Sequence, residues 1–217
     1  MIKVSNITKT FNDIEVLHTT SLTINKGDFI AVVGPSGSGK STLLYSVSGM
    51  DPVSSGTVTF DGTNISEMGE EELANFRLHR MGFVFQNSHM LKNLSILDNI
   101  TLPALVANKH DAKEVRRYAK ELMKRMEIEG LENRYINEVS GGQLQRASIC
   151  RAMINKPDIL FLDEPTGALN QEVTNQVLQI LEGLNKDGMT IMVVTHDFNV
   201  AQRAKKIIQV KDGKIVA

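Results

Sequence analysis

The chain has 217 residues, 41% hydrophobic and 23% charged, enough for one domain with a substantial core and room for an embedded subdomain. Its 24 Lys and Arg against 25 Asp and Glu give a formal charge of −1, which argues against bulk positive charge gripping a polyanion, so no nucleic-acid partner is expected. One cysteine, Cys150, excludes an intrachain disulfide and a Cys-x-x-Cys site, and fits a reducing, cytosolic setting.

In chain order, residues 1–7 alternate like a strand and lack the continuous apolar stretch of a signal peptide. Residues 14–24 and 56–65 read as antiparallel pieces, the second turning at Asp61-Gly62. Residues 29–33, 81–85, 159–162 and 190–194 are short, rich in β-branched or aromatic side chains and apolar on both faces. That is the pattern of parallel strands covered by helices on two sides. Between about Asn87 and Asn155 the strand signal disappears. There Ala112, Val115, Ala119, Leu122 and Met126 recur at helical spacing, backed by a face of mixed charge. Lys211-Asp-Gly-Lys214 signals a final hairpin. The expected fold is α/β with a mainly parallel sheet, an N-terminal antiparallel β subdomain and an inserted helical subdomain. The expected division is a core of 1–86 and 156–217 around an insert of 87–155. The longest apolar runs are far short of the roughly 18–20 residues that span a bilayer, so membrane association is expected only through a partner.

The chemistry concentrates in Gly34-Pro-Ser-Gly-Ser-Gly-Lys-Ser41, which satisfies G-x-x-x-x-G-K-[ST] directly between a strand and a helical segment. Gly34, Pro35, Ser36, Gly37, Ser38 and Gly39 form a loop whose backbone N–H groups converge on phosphate oxygens. Thr42 continues into a helix whose N-terminal dipole favours an anion. Lys40 is expected at the β- and γ-phosphates and Ser41 at Mg²⁺, making ATP and Mg²⁺ the expected substrate and cofactor. A nucleophile elbow of the form G-x-S-x-G is excluded, because Ser38 stands where its second glycine belongs. The strand at 159–162 delivers Asp163 and Glu164 to its C-terminal end, the edge where open α/β sheets bind ligands. Asp163 suits the metal; Glu164 is placed to orient or deprotonate an attacking water.

With these residues in place, the whole chain resembles the nucleotide-binding subunit of an ATP-binding cassette (ABC) transporter. Val139-Ser-Gly-Gly-Gln143 matches the family signature, with Val where Leu is usual. Gln86 matches the glutamine ending a strand between P-loop and signature. Phe161-Leu-Asp-Glu-Pro165 matches the carboxylate motif, and His196 the switch histidine. The resemblance implies that Ser140, Gly141, Gly142 and Gln143 face the γ-phosphate held by another subunit, so that a homodimer clasps two ATP. It also implies that Gln86 contacts Mg²⁺ or the water, that His196 contacts the γ-phosphate and positions Glu164, and that Phe11 stacks on adenine with Val16 beside it. Asn170 departs from the family, which usually carries Asp in this loop across the dimer interface.

Phe76-Arg77, Met81 through Gln86, and Asp98-Asn-Ile-Thr-Leu-Pro103 resemble the branch serving macrolide export, lipoprotein release and antimicrobial-peptide resistance. The implied partner is an integral membrane permease, with this subunit peripheral on the cytoplasmic face. A cell-division ATPase of similar sequence makes force transmission without transport the alternative. Met90, Leu91, Leu94 and Ile96 are the expected coupling surface. The interval between Gln86 and Ser140 is too short for the coiled coil of ABC ATPases that act on DNA, and no second P-loop is present. His18, His79, His89 and His110 have no metal-ligand spacing.

Overall fold

The structure is a computed structural model describing residues 1–108 and 111–216; His110 lies outside them. Two sheets form its frame. Strands β1 (Ile2–Phe11) and β2 (Ile14–Ile24) make a long hairpin, joined by β4 (Ser55–Phe60) and β5 (Thr63–Asn64) in the all-antiparallel order β2-β1-β4-β5. Asn12 and Asp13 turn the first hairpin with φ of 44° and 66°, a geometry these short polar side chains tolerate. Asp61-Gly62 makes the turn expected of it.

The second sheet contains β3 (Phe29–Val33), β6 (Met81–Phe85), β7 (Ile159–Asp163), β8 (Thr190–Val194), β9 (Lys206–Lys211) and β10 (Lys214–Ile215). Its order is β10-β9-β3-β8-β7-β6, parallel except for the terminal β9-β10 hairpin. Side chains alternate across this sheet into two cores. Phe29, Ala31, Leu160, Leu162, Ile191 and Val193 enter one; Ile30, Val32, Ile159, Phe161, Met192 and Val194 enter the other. This is why the strands read as apolar on both faces. Each such burial, Ala31 apart, is worth roughly 1.5–3 kcal/mol.

The first core is closed by α3 (Ile96–Ala107), α4 (Ala112–Arg125), α5 (Gly141–Met153) and α6 (Gln171–Lys186), with α7 (Phe198–Gln202) at its margin. The second lies between the parallel sheet, α1 (Lys40–Val47) and the antiparallel sheet. Helix α4 begins where its stripe predicts, capped by Asp111, and Met126 closes it fully buried. Cys150 is buried in α5, and burial pushes its thiol pKa up, so it acts as a packed apolar group. Helix α2 (Glu70–Arg80) buries only Leu73; Glu70, Glu71 and Glu72 open it and Arg77, His79 and Arg80 end it, each sign at the favourable end of the dipole. No described helix is long and apolar enough to cross a membrane.

Candidate active site

Sheet register assembles the site. Val32 pairs with Val194, and Asp163 pairs with both Val194 and Phe85. The residues that follow these positions, Gly34, Gln86, Glu164 and His196, therefore leave the sheet at one carboxyl edge.

At that edge Gly34 to Ser41 turns from β3 into α1. A β-carbon on Gly34 would fall 2.0 Å from the Val210 carbonyl oxygen, so the loop closes on β9 only without a side chain. Gly39 caps α1 with φ 97°, and a β-carbon there would press on the Val16 carbonyl at 3.1 Å, which places β2 against the loop. Pro35, Ser36 and Gly37 are exposed at the tip, Ser38 and Lys40 are buried, and Ser41 and Thr42 are half-buried. Lys40 Nζ donates to the Pro35 carbonyl at 2.8 Å, curling the cation over the loop.

Ser41 Oγ donates to Asp163 Oδ1 at 2.9 Å and Tyr45 Oη to Oδ2 at 2.6 Å. Burial and the Asp163 carboxylate push the Tyr45 phenol pKa up, so it stays a donor. A hydroxyl beside a carboxylate is a hard-oxygen donor set that suits Mg²⁺. The sequence reading missed Tyr45; its signal was its place one helical turn after Ser41, on the same face of α1.

Glu164 holds a left-handed φ of 47°, with its N–H donated to the Val194 carbonyl at 2.9 Å. Such a conformation costs a non-glycine residue on the order of 1 kcal/mol and is typical of functional positions. Its Oε1 meets His196 Nδ1 at 2.9 Å, Glu164 being 17% and His196 68% exposed in their side chains. With Nδ1 so engaged, Nε2 is the nitrogen left for a phosphate oxygen. Gln86 is exposed, with Nε2 so near Gly167 that a β-carbon there would sit 3.0 Å from it. Glu164 and His196 are thus in direct contact, and Gln86 reaches the Gly167 backbone three residues beyond Glu164.

Ser140 to Gln143 opens α5. Ser140 caps α5 in a reciprocal box: its Oγ accepts from Gln143 N at 3.3 Å, and Gln143 Oε1 accepts from Ser140 N at 2.8 Å. Gln143's side-chain oxygen and the Ser140 and Gln143 N–H groups are therefore committed to the cap, leaving, among the described residues, the Gly141 and Gly142 N–H groups of the first turn as donors for an anion. A β-carbon on Gly142 would strike Val173 Cγ1 at 2.4 Å, so that glycine lets α5 pack on α6. Among the described residues no hydrogen bond joins Ser140–Gln143 to Gly34–Thr42 of the same chain.

Phe11 ends β1 42% exposed, outside both cores, with Lys9 Nζ 4.7 Å from its ring centroid; Val16 is half-buried. Asn170 caps α6, accepting from Val173 N at 2.9 Å, a task Asn and Asp perform about equally. Asn170→Asp should keep that cap, add charge at the helix N-terminus and raise stability by about 0.3–1 kcal/mol, read as a higher Tm. The family resemblance also implies that without the Asp charge dimerisation survives and communication between sites weakens; an unchanged ATPase rate and cooperativity in that variant would overturn that expectation. The expected coupling residues divide: Met90 and Ile96 are buried in the core, whereas Leu91 is 47% exposed and Leu94 half-buried. Among the described residues no cluster of three or more His, Cys, Asp or Glu could hold a metal.

Comparison with known proteins bears on the family and the fold. The ABC transporter family profile matches residues 17–167. The chain belongs to the ABC transporter family. It is an ABC-type ATPase cassette with an α/β fold. It is 42% identical over its full length to the lipoprotein-releasing system ATP-binding protein LolD of Leptospira interrogans, covering 91% of that protein. It is also 42% identical, over 94% of its length, to the macrolide export ATP-binding/permease protein MacB of Mannheimia succiniciproducens, of which it spans 32%. The dimeric structure of the ABC transporter cassette MJ0796 superposes with a TM-score of 0.93 at 39% identity, covering 100% of this chain and 97% of that one. The same cassette in a dimeric post-hydrolysis state with ADP and Pi also gives 0.93, at 38% identity with 100% and 97% covered.

Proposed function

We propose that two copies of this chain clasp two ATP molecules, each between the Gly34–Thr42 loop of one copy and the Ser140–Gly142 turn of the other, and hydrolyse them to drive a membrane permease. The observation that carries the reading is the Glu164–His196 pair at the sheet edge that also bears the P-loop.

Each group then has one task. Phe11 offers a π face to adenine, worth about 0.5–1.5 kcal/mol, and Val16 adds apolar contact. The loop amides and Lys40 bind the β- and γ-phosphates. Ser41, Asp163 and Gln86 would hold Mg²⁺, which when bound supplies positive charge against the phosphate oxygens. Glu164 accepts a proton as water forms its bond to the γ-phosphorus. The bond from γ-phosphorus to the bridging oxygen breaks, and ADP leaves with the electron pair. His196 fixes Glu164 through Nδ1 and faces the γ-phosphate through Nε2. The Gly141 and Gly142 amides of the other copy, which the cap leaves out, face the same phosphate, so a dimer is needed to complete each site.

The helices of 87–155 act as a lever in this reading. Arg151 of α5 donates to the His89 carbonyl at 2.9 Å and also to that of Ser88, tying the segment after Gln86 to the helix whose other end is Ser140. A motion of α5 against the nucleotide therefore reaches Gln86. The same segment borders an apolar groove lined by Met50, Leu78, Phe83, Phe85, Pro103 and Arg151. With His89 in its lining and exposed Leu91 two residues further along the chain, this groove suits a helical segment of the permease, in the helix-in-groove mode. The chain would then be held peripherally on the cytoplasmic face of the membrane. The relatives' roles in macrolide export and lipoprotein release favour export or release as the work done.

Two measurements test the proposal. A hydrolysis-blocked chain should dimerise in ATP and Mg²⁺; a monomer under saturation would end the reading. Leu91→Glu with Leu94→Glu should abolish co-purification with the permease and leave ATP affinity within about twofold, since both side chains lie outside the fully buried core. Loss of ATP binding in that variant would make these leucines core residues instead.

A further inference from the structure

Tyr45 stands one turn beyond Ser41 on α1, and both reach the same carboxylate: Ser41 Oγ donates to Asp163 Oδ1 at 2.9 Å and Tyr45 Oη to Oδ2 at 2.6 Å. We propose that Tyr45 is a positioning residue for the Mg²⁺ site, locking Asp163 in the one orientation whose remaining lone pairs face the cation. The inference rests on the reading that Ser41 and Asp163 hold Mg²⁺.

An ionised carboxylate offers about four lone-pair sites. The two hydroxyls occupy one on each oxygen, which fixes both the plane and the rotation of the group. A bond of 2.6 Å from a hydroxyl to a carboxylate is short and charge-assisted, stronger than a neutral pair. Without it, Asp163 would keep, among the described residues, only the side-chain hydrogen bond from Ser41, the side chain that must itself turn toward the metal.

The backbone of Tyr45 is also held. The Tyr45 carbonyl accepts the N–H groups of Met50 at 2.9 Å and Asp51 at 3.1 Å, and the Ser48 hydroxyl at 3.2 Å. Asp51 is in turn gripped by buried Lys9, whose Nζ lies 2.5 Å from Oδ1 and donates to the Pro52 carbonyl at 2.6 Å. The end of α1 is thereby pinned to β1, two residues before Phe11. Tyr45 carries that anchorage forward to β7, setting the spacing between Ser41 and Asp163.

The test uses the full chain with ADP, so that no turnover occurs, and Mn²⁺ as a paramagnetic stand-in for Mg²⁺. Tyr45→Phe keeps the ring and its packing but removes the donor. It should weaken Mn²⁺ binding about tenfold, the usual effect of losing a partner that orients a metal ligand. ADP affinity in EDTA should stay within about twofold, because the phosphate loop itself is untouched. In an Asp163→Asn background the same change should have no further effect, since the two residues act as one unit. Unaltered Mn²⁺ affinity in Tyr45→Phe, or an equal loss of ADP affinity in EDTA, overturns the proposal and leaves Tyr45 a packing residue. If Asp163→Asn alone binds Mn²⁺ as tightly as the parent, it is the underlying metal reading that fails, and the inference falls with it.

Discussion

Glu164→Gln is expected to lower ATP hydrolysis by about 10²–10⁴-fold, the usual contribution of a positioned general base, while leaving ATP binding intact. Gln has the shape of Glu, and its Oε1 can still accept the His196 Nδ1 hydrogen, so the 2.9 Å contact is retained. The left-handed backbone at residue 164 is also unchanged, so no difference in fold or strain enters the comparison. The proton acceptor is lost, and with it the long 3.4 Å contact that Oε2 accepts from the His196 backbone N–H. Because ATP joins the two copies and hydrolysis separates them, the blocked chain should accumulate as an ATP-bound dimer in Mg²⁺, seen as a doubling of mass by light scattering. ADP should give no such dimer, since it lacks the γ-phosphate that Ser140–Gly142 would contact. Equal hydrolysis rates in parent and variant would remove Glu164 from the mechanism.

Strands β3, β6, β7 and β8 were legible because burial on both faces leaves a run with no polar alternation, whereas mostly exposed β9 showed only through the turn at its end. Ile159 to Leu162 all sit inside one core or the other. Helix α2 was not legible, since a helix burying only Leu73 carries no apolar stripe and owes its ends to the sorting of charge. Helix α6 carried a readable stripe in Val177, Leu178, Leu181 and Leu184. Its start is marked by Asn170, which the sequence presents first as a departure from a family motif and only the fold presents as a cap.

The site divides in the same manner. Groups contiguous in sequence, such as the Gly34–Ser41 loop and the Asp163-Glu164 pair, could be read directly, because spacing alone brings their atoms together. Tyr45 could not, since an aromatic within a helix reads as core until sheet order places Asp163 opposite it. The loop after Gln86 misled for a related reason. Fully buried Asn99 accepts from Leu91 N at 2.7 Å and donates to the carbonyls of Leu91, Leu94 and Ser95, bending the segment so that Met90 and Ile96 point inward while Leu91 faces out. A buried asparagine that satisfies four backbone groups leaves no periodic trace.

Mixing two inactive variants should restore activity, provided each ATP is held between two chains. Lys40→Ala removes the cation from the phosphate loop. Gly141→Asp places a carboxylate where the signature turn would meet the γ-phosphate, and it is the suitable glycine to change: a β-carbon there meets only Leu169 Cδ2 at 3.6 Å, an ordinary contact, whereas Gly142 would collide with Val173. An acidic residue at a helix N-terminus also favours the helix dipole, so α5 should stay folded. Each variant alone forms dimers in which both sites are broken. In a mixed dimer the Lys40→Ala chain lends its intact Ser140–Gly142 turn to the intact loop of the Gly141→Asp chain, giving one complete site. An equal mixture forms such dimers about half the time, each with half its sites whole, so phosphate release should recover to about a quarter of the parent rate if the sites fire independently. A mixture as inactive as its components would mean that a broken site silences its neighbour, or that loop and turn serve one nucleotide within one chain. The two part on nucleotide-driven association. Mixed dimers trapped by adding Glu164→Gln to both variants would leave the shared site standing, and their absence would remove it.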